Sequence, residues 1–171
     1  MRAAKFVGKT KSKSARARGD VWREYRPAGL HFRIEMPGKP VVETWHNEDE
    51  DEGWITAVDA DLNYEEITFG VSWTQWKKNQ SVAILSNRLR KGMRRAGWPA
   101  TGERRFTIDG FPAGEAIRRS DGLDSLNYIE RNVVMGKETL LITATRVDAG
   151  LHASPIVRRF FDSFKLLREA R

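Results

Sequence analysis

The sequence predicts an α+β fold in which two helices cover a central antiparallel sheet. Strand-like segments with alternating apolar residues follow one another through most of the chain, and short turns join them. Consecutive strands joined by short turns pair in antiparallel fashion. Only two segments, one in the middle and one near the end, change to a helical period. Because strands and helices do not alternate, the pattern argues against βαβ architectures and favours a sheet with helices on its apolar face.

The first half of the chain contains four predicted strands. In Leu30–Met36 every second residue is apolar, which indicates a half-buried strand, and Pro37-Gly38 ends it with a turn. The acidic run Glu48–Glu52 interrupts the apolar pattern, so we expect it at an exposed hairpin tip. The other strands predicted here are Val41–Trp45, Trp54–Leu62 and Glu66–Trp76.

Two segments are predicted to be helices. Between Asn79 and Ala96 apolar residues recur at helical spacing, and Gly97 follows as a C-terminal stop. Later, Ser154 is a candidate N-cap and Pro155 occupies the first helical position. The apolar stripes consist of Val82, Leu85, Leu89 and Met93 in the first helix, and of Ile156, Val157, Phe160, Phe161 and Phe164 in the second.

Four more strands are predicted in the second half. Asp109-Gly110 is a turn signal, and Met135-Gly136-Lys137 is a tight connection between the last two strands. The four segments are Arg104–Ile108, Gly114–Arg118, Leu126–Val134 and Thr139–Val147.

The net charge of +7 resides in the first 19 residues, which hold seven bases and no acid. Removing those seven from the 30 Lys and Arg leaves 23, equal to the 23 Asp and Glu. A basic arm with little apolar surface is predicted to be disordered, and we place it at residues 1–20. It also lacks the apolar core of a secretory signal, which favours the cytoplasm by default. Such an arm either is simply solvated or contacts nucleic acid or another anionic surface.

Three motifs occur in a fixed order along the chain. Tyr25-Arg-Pro-Ala-Gly29 leads into the strand that ends at Met36, Phe106-Thr-Ile-Asp-Gly-Phe-Pro-Ala-Gly-Glu115 follows the middle helix, and Arg159-Phe-Phe-Asp-Ser-Phe164 lies in the last helix. In order and spacing they resemble the PsbP-like family, named for an extrinsic subunit of photosystem II, and especially its small bacterial members. The resemblance covers roughly residues 22–166.

The resemblance implies one PsbP-like domain over residues 21–171, built as an α/β/α sandwich with helices on both sides of an antiparallel sheet. Relatives include photosystem II subunits, a Ran-binding nuclear-import factor and chaperones for secreted effectors, and many of the relatives are exported. Because the fold brings no shared catalytic motif, it supplies no active-site residues, and fold is a weak guide to function.

No catalytic constellation stands out in the sequence. The chain has no cysteine, which excludes disulfides and zinc-thiolate sites. Gly8-Lys9-Thr10 lacks the earlier glycine of a phosphate-binding loop, and Asp59-Ala-Asp61-Leu-Asn63 lacks the glycine and closing glutamate of a calcium loop. His31, His46 and His152 show no metal-ligand spacing. We therefore predict no catalytic, cofactor-binding or metal site, while the acidic run at 48–52 leaves loose cation binding open.

Two features indicate a contact surface. Trp76 has the opposite strand parity to Trp73, so it is exposed, lies under a second helical layer, or follows the end of the strand. The middle helix carries five bases between Arg88 and Arg95, which favours either a solvated face or an acidic partner. The candidate partner-contact residues are Trp76, Lys77, Lys78, Arg88, Lys91 and Arg95.

Three hypotheses of function follow. The first is a non-catalytic binding or accessory domain that contacts another protein through its sheet edge or loops. The second is an anionic-polymer or nucleic-acid binder that uses the basic arm and the basic helix face at 88–95. The third is an enzyme, which needs a deep pocket around carboxylates such as Asp59 and Asp61.

Deletion of residues 1–19 should leave the thermal unfolding midpoint nearly unchanged, because a basic arm with little apolar surface adds little to a core. Calorimetry on the full chain and on residues 20–171 measures this directly. A large loss of thermal stability would contradict the prediction of a disordered arm.

Overall fold

The computed structural model describes residues 21–46, 54–95, 97–120, 126–146 and 150–167. Residues 1–20 and the acidic run at 48–52 lie outside these ranges. Ten strands and two α-helices are described, with one turn of 3₁₀ helix at Leu151–Ala153. The strands are β1 (Arg23–Tyr25), β2 (Phe32–Met36), β3 (Val41–His46), β4 (Trp54–Tyr64), β5 (Ile67–Trp76), β6 (Ala100–Ile108), β7 (Phe111–Arg119), β8 (Asn127–Met135), β9 (Glu138–Arg146) and β10 (Lys165–Leu166); the helices are α1 (Val82–Arg95) and α2 (Pro155–Ser163).

Seven of the strands form one antiparallel sheet with the order β3-β4-β5-β9-β8-β7-β6. A smaller sheet places β2 between β1 and β10. The sheet order puts β5 and β9 near the centre and leaves β3 and β6 at the two edges. The predicted α+β class with an antiparallel sheet is therefore confirmed.

Three pairs of sequential strands in the large sheet are joined by tight two-residue turns: β4 to β5, β6 to β7 and β8 to β9. Asp109-Gly110 connects β6 to β7 with positive φ angles of 50° and 87°, as the turn signal predicts. Glu65-Glu66 connects β4 to β5 with φ values of 46° and 64°. Both residues carry a Cβ in this left-handed region, so the pairing of the long flanking strands holds the turn.

One face of the large sheet is largely apolar, and its central part is covered. Phe69 and Val71 of β5 are buried here, as the alternation of β5 predicts, and so is Ile142 of the neighbouring β9. The cover consists of α2 and the small sheet. Phe160 of α2 packs on Phe69 with 4.8 Å between ring centroids, and Phe164 packs on Phe32 of β2. The terminal helix and the first long strand therefore close the same core.

A half-buried arginine connects α2 to the sheet. Arg131 on β8 donates from Nη1 to the carbonyl oxygen of Phe161 at 2.9 Å, and from Nη2 to Glu115 on β7 at 2.8 Å. Its guanidinium also stacks over the rings of Phe161 and Phe106. A free carbonyl near the C-terminal end of α2 thus receives a positively charged donor, which is favourable for a helix.

The second face of the sheet is polar and is covered by α1 over β7 and β8. Val82 and Leu85 of α1 form a small apolar cluster with Val134 and the half-buried Trp76. A Cβ at Gly114 would lie 3.0 Å from the Val82 side chain, so the glycine lets α1 approach the sheet closely.

Two predictions about helix ends are refined by the structure. Gly97 ends α1 in the left-handed conformation with φ of 79°, and Trp98 N–H donates back to the Met93 carbonyl at 2.8 Å. Ser154 precedes Pro155 of α2 as expected, but its side chain makes no capping hydrogen bond. The expected N-cap position is therefore right, while the side-chain cap is absent.

Phe160→Ala should lower the free energy of unfolding by about 3–5 kcal/mol, because it leaves a cavity against Phe69 in the core. Urea denaturation measures the change, and Arg158→Ala on the exposed side of α2 is the control. A loss below about 1 kcal/mol would show that α2 does not close the core.

Candidate functional site

The edge strand β3 is the most exposed apolar element among the described residues. All six of its residues are exposed, and β4 is its sheet neighbour on one side only. Val41 is 66%, Val42 48% and Trp45 51% exposed. Since consecutive strand residues point to opposite faces, apolar side chains project on both sides of this edge.

The opposite edge strand, β6, has features that protect a sheet edge from pairing. It carries the consecutive charges Glu103, Arg104 and Arg105, and its register with β7 shifts between Ala100 and Gly102. Charges and bulges are the usual means of blunting an edge. β3 has a continuous register with β4 and one formal charge, Glu43, within VVETWH. The two edges therefore differ in their readiness to accept another strand.

A row of carboxylates lies on the polar face beside β3. Glu43 is directly opposite Asp59 on β4, and Asp61 is two residues further along. Like charges in opposite positions of a sheet repel each other. None of the three carboxylates has an ion pair within the described part of the chain.

The carboxyl group of Asp61 leans across the neighbouring strand. A Cβ at Gly70 on β5 would lie 2.8 Å from Asp61 Oδ1 and 2.6 Å from Thr143 Oγ1 on β9, so both side chains close over the glycine. Partial removal of the carboxyl from water raises the pKa of Asp61, and the negative charges of Asp59 and Glu43 raise it further. This end of the polar face thus has an excess of negative charge.

Trp76 lies under the second helical layer, which is one of the three positions that its parity allows. It packs against Val82, Leu85 and Val134, and its indole Nε1–H donates to Thr139 Oγ1 at 2.8 Å. The half-buried ring is therefore part of the packing between α1 and the sheet rather than a projecting anchor.

The basic candidate residues lie mainly on the outer side of α1. Arg88, Lys91 and Arg95 are exposed along one helical stripe, and Lys77 and Lys78 are exposed in the segment before the helix. The Arg88 guanidinium stacks over the Trp76 ring at 4.9 Å. The structure therefore brings Arg88 and Trp76 together.

Arg90 departs from the predicted outer face of α1. It turns towards β6 and binds Glu103 through two hydrogen bonds of 2.6 and 3.2 Å. Its place in the helical pattern differs from that of Arg88 by two residues, which rotates it towards the sheet. Sequence pattern alone grouped it with the solvent-facing bases.

A buried ion pair is the main functional candidate that sequence reasoning missed. Arg118 on β7 and Glu130 on β8 are joined by a 2.7 Å hydrogen bond and each side chain is 1% exposed. In the sequence each of them follows an isoleucine and precedes an arginine, so the local pattern gives no sign that either is buried. Only the position of α1 above the second face buries them. The pair lies in the wall of a cavity of about 200 Å³.

The described residues fall in the ranges 21–46, 54–95, 97–120, 126–146 and 150–167. These ranges contain no group of three or more His, Asp or Glu residues that could hold an ion. The acidic run at 48–52, where loose cation binding was left open, lies outside them. Asp59 and Asp61, the carboxylates named for the enzyme hypothesis, do not line the cavity next to Arg118.

Among the described residues, no helix is both long and apolar enough to cross a membrane.

An antiparallel sheet with helices on both faces defines the class as an α/β/α sandwich. No protein-family description matches the chain, and no curated protein matches it either. The solution structure of cyanobacterial PsbP (CyanoP) from Synechocystis sp. PCC 6803 is similar, with a TM-score of 0.59 and 10% identity over 94% of this chain and 98% of that chain. The protein has a PsbP-like fold, and the fold that the resemblance implied is confirmed.

Two further solved structures show a weaker likeness. A Pseudomonas aeruginosa protein of unknown function, PA94, has a TM-score of 0.45 and 14% identity over 88% of this chain and 99% of that chain. LpqN of Mycobacterium tuberculosis, which is involved in cell envelope biogenesis, has a TM-score of 0.46 and 12% identity over 78% of this chain and 87% of that chain.

Asp61→Asn should stabilise the folded protein at neutral pH. A raised pKa means that the folded state holds the proton more tightly than the unfolded chain, in which Asp titrates at about pH 3.9. Stability therefore falls as the pH rises from that value through the raised pKa. The asparagine variant removes this fall, so its advantage should be present near neutrality and vanish in acid.

Urea denaturation at about pH 3 and about pH 7, on either side of the titration, measures this difference. Asp162→Asn, which removes an exposed carboxylate from α2, is the control. An Asp61→Asn variant less stable than the parent near neutrality would contradict the cost that we assign to the partly buried Asp61 carboxylate beside Asp59 and Glu43.

Proposed function

We propose that this protein is a non-catalytic accessory domain that binds an extended segment of another protein along β3. The observation that carries the proposal is an edge strand with six exposed residues, three of them large and apolar. An exposed apolar edge invites pairing with a further strand.

A partner segment could bind as an additional strand beside β3, because the edge of β3 offers both backbone groups and exposed side chains. The partner's main chain would pair with the free backbone groups of the edge, which supplies affinity, and alternate side chains would supply specificity. On the polar face the partner meets Val41, Glu43 and Trp45, and on the other face Val42, Thr44 and His46. Trp45 is the strongest anchor, because a large aromatic ring often dominates binding energy.

The charge beside β3 selects the chemistry of the partner. Glu43, Asp59 and Asp61 form an acidic row with no ion pair among the described residues. Burial raises the pKa of Asp61 most, and the charges of Asp59 and Glu43 raise it further; a lysine or arginine opposite Glu43 would relieve this second effect. We therefore expect a partner strand in which basic and apolar side chains share the face that lies against this row.

The basic stripe on α1 supports a second candidate function. Arg88, Lys91 and Arg95 are exposed together, and Lys77 and Lys78 are exposed before the helix, whereas Trp76, the sixth predicted contact residue, packs beneath α1. Such a stripe suits an acidic protein or an anionic polymer such as nucleic acid. The β3 site is favoured because exposed apolar side chains gain from burial, whereas exposed bases are already stable in water.

The test is selection of binders from a random peptide library on the full chain, followed by mapping of the backbone amides that shift in NMR spectra. We expect selected peptides to have lysine or arginine between apolar residues and to shift the amides of β3 and β4. Trp45→Ala should weaken them at least about tenfold through loss of an aromatic anchor.

Charge reversal gives the sharpest comparison. Glu43→Lys places a cation beside the two remaining carboxylates and should weaken binding of the basic peptides, whereas Thr107→Lys, on the same face of the opposite edge strand, should leave their affinity unchanged. Peptides or DNA that shift only the α1 amides, with affinity falling steeply in salt, would favour the second candidate function. Dimerisation through β3 would identify a second copy as the occupant and overturn the basic partner.

A further inference from the structure

The buried ion pair on the second face has atoms that the described residues leave without partners. Arg118 donates from Nη2 to Glu130 Oε1 at 2.7 Å. Arg118 Nε and Nη1 and Glu130 Oε2 are buried and have no hydrogen-bond partner among the described residues. Buried polar groups without partners are expensive, and an apolar pair of similar size is often equally stable. The pair thus adds little stability, which indicates another role.

The neighbouring cavity offers room for a partner. Its volume is about 200 Å³, and Ser86 of α1 and the buried Asn132 of β8 also line it. A water molecule occupies about 30 Å³ of liquid volume, so the space accommodates several waters or one small organic molecule.

The charges and donors of the wall define the ligand. Seven charged residues line the cavity, but the side chains of Arg104 and Glu115 bind each other on the face covered by α2. The remaining three arginines and two glutamates leave one positive charge. The unpartnered Nε and Nη1 atoms of Arg118 carry three N–H donors, and Glu130 has one free oxygen. Each of these atoms has less than 1 Å² of accessible surface, so a ligand reaches them when the Arg90–Glu103 pair opens. A complementary ligand has one negative charge, several acceptor oxygens and one hydrogen-bond donor.

A partly exposed ion pair lies in the wall of the cavity. Arg90 of α1 and Glu103 of β6 both belong to the lining, and their side chains are 42% and 35% exposed. Ion pairs with this exposure contribute little free energy. Opening this pair would therefore give a ligand access to the space beneath α1 at low cost.

We propose that the cavity beneath α1 binds a small hydroxycarboxylate. The carboxylate accepts hydrogen bonds from Arg118, the hydroxyl group donates to Glu130 Oε2, and the Arg90–Glu103 pair closes over the bound molecule. This site is separate from β3 and does not depend on the proposed protein-binding function.

Titration of the full chain with L-lactate tests the proposal, because lactate is a minimal hydroxycarboxylate. NMR spectra report on the Arg118 Nε–H signal and on the backbone amides of Ser86 and Asn132. We expect these signals to shift on binding, and acetate, which lacks the donor, and lactamide, which lacks the charge, to bind about tenfold more weakly.

Two variants separate binding from folding. Arg118→Met combined with Glu130→Leu replaces the pair by apolar residues and should abolish lactate binding. Arg119→Met, at the next position of β7 and on the opposite face, is the matched control and should bind normally. If the double variant does not fold, Ser86→Leu tests the site from α1, because it fills the cavity without altering the ion pair.

The proposal is overturned if lactate at about 10 mM, enough to reveal millimolar affinity, shifts none of these signals. It is also overturned if acetate and lactamide bind as well as lactate, or if binding survives in the folded cavity variants. In those cases the cavity holds water only.

Discussion

The contact between Phe160 of α2 and Phe69 of β5 determines how the rest of the structure is arranged. It places a helix from late in the chain over a central strand of the large sheet. The burial of Phe69, Val71 and Ile142 depends on this cover. Arg131 secures it by binding both Glu115 of the sheet and the Phe161 carbonyl oxygen. With one face committed to this core, the opposite face and the sheet edges remain for contacts with other molecules.

The two faces of the large sheet are therefore chemically different. The covered face is apolar and closely packed, as a structural core should be. The other face carries the acidic row at Glu43, Asp59 and Asp61 beside an exposed edge, and the buried Arg118–Glu130 pair beneath α1. A cluster of unpaired like charges and an incompletely bonded buried ion pair both cost stability. Both unfavourable features lie on the face that carries the acidic row and the cavity beneath α1. Natural proteins often keep such destabilising features at functional sites.

Much of the fold could be predicted because local patterns determine it. The alternation of Ile67, Phe69 and Val71 and the Asp109-Gly110 turn each specify their own element without reference to the rest of the chain. The short strands β1 and β10 could not be predicted, because three residues and two residues form strands only through pairing with β2.

The candidate sites were harder to predict for the same reason. The edge position of β3 depends on the order of strands, which no segment of sequence reveals by itself. The burial of Arg118 and Glu130 depends on the placement of α1, and the inward turn of Arg90 depends on the position of Glu103. The position of Trp76 could be predicted in part. Its strand parity allowed three positions, and the structure shows that it packs beneath α1.

The position of α2 in the chain also has a consequence for synthesis on the ribosome. Strands β3 to β9 emerge before the helix that covers them, so their apolar face stays open to water and to other nascent chains for that interval. A nine-residue helix is too short to be stable alone, so α2 forms as it docks on the sheet. Completion of the core therefore awaits a late and non-local event, which makes folding slow and gives molecular chaperones an interval in which to act.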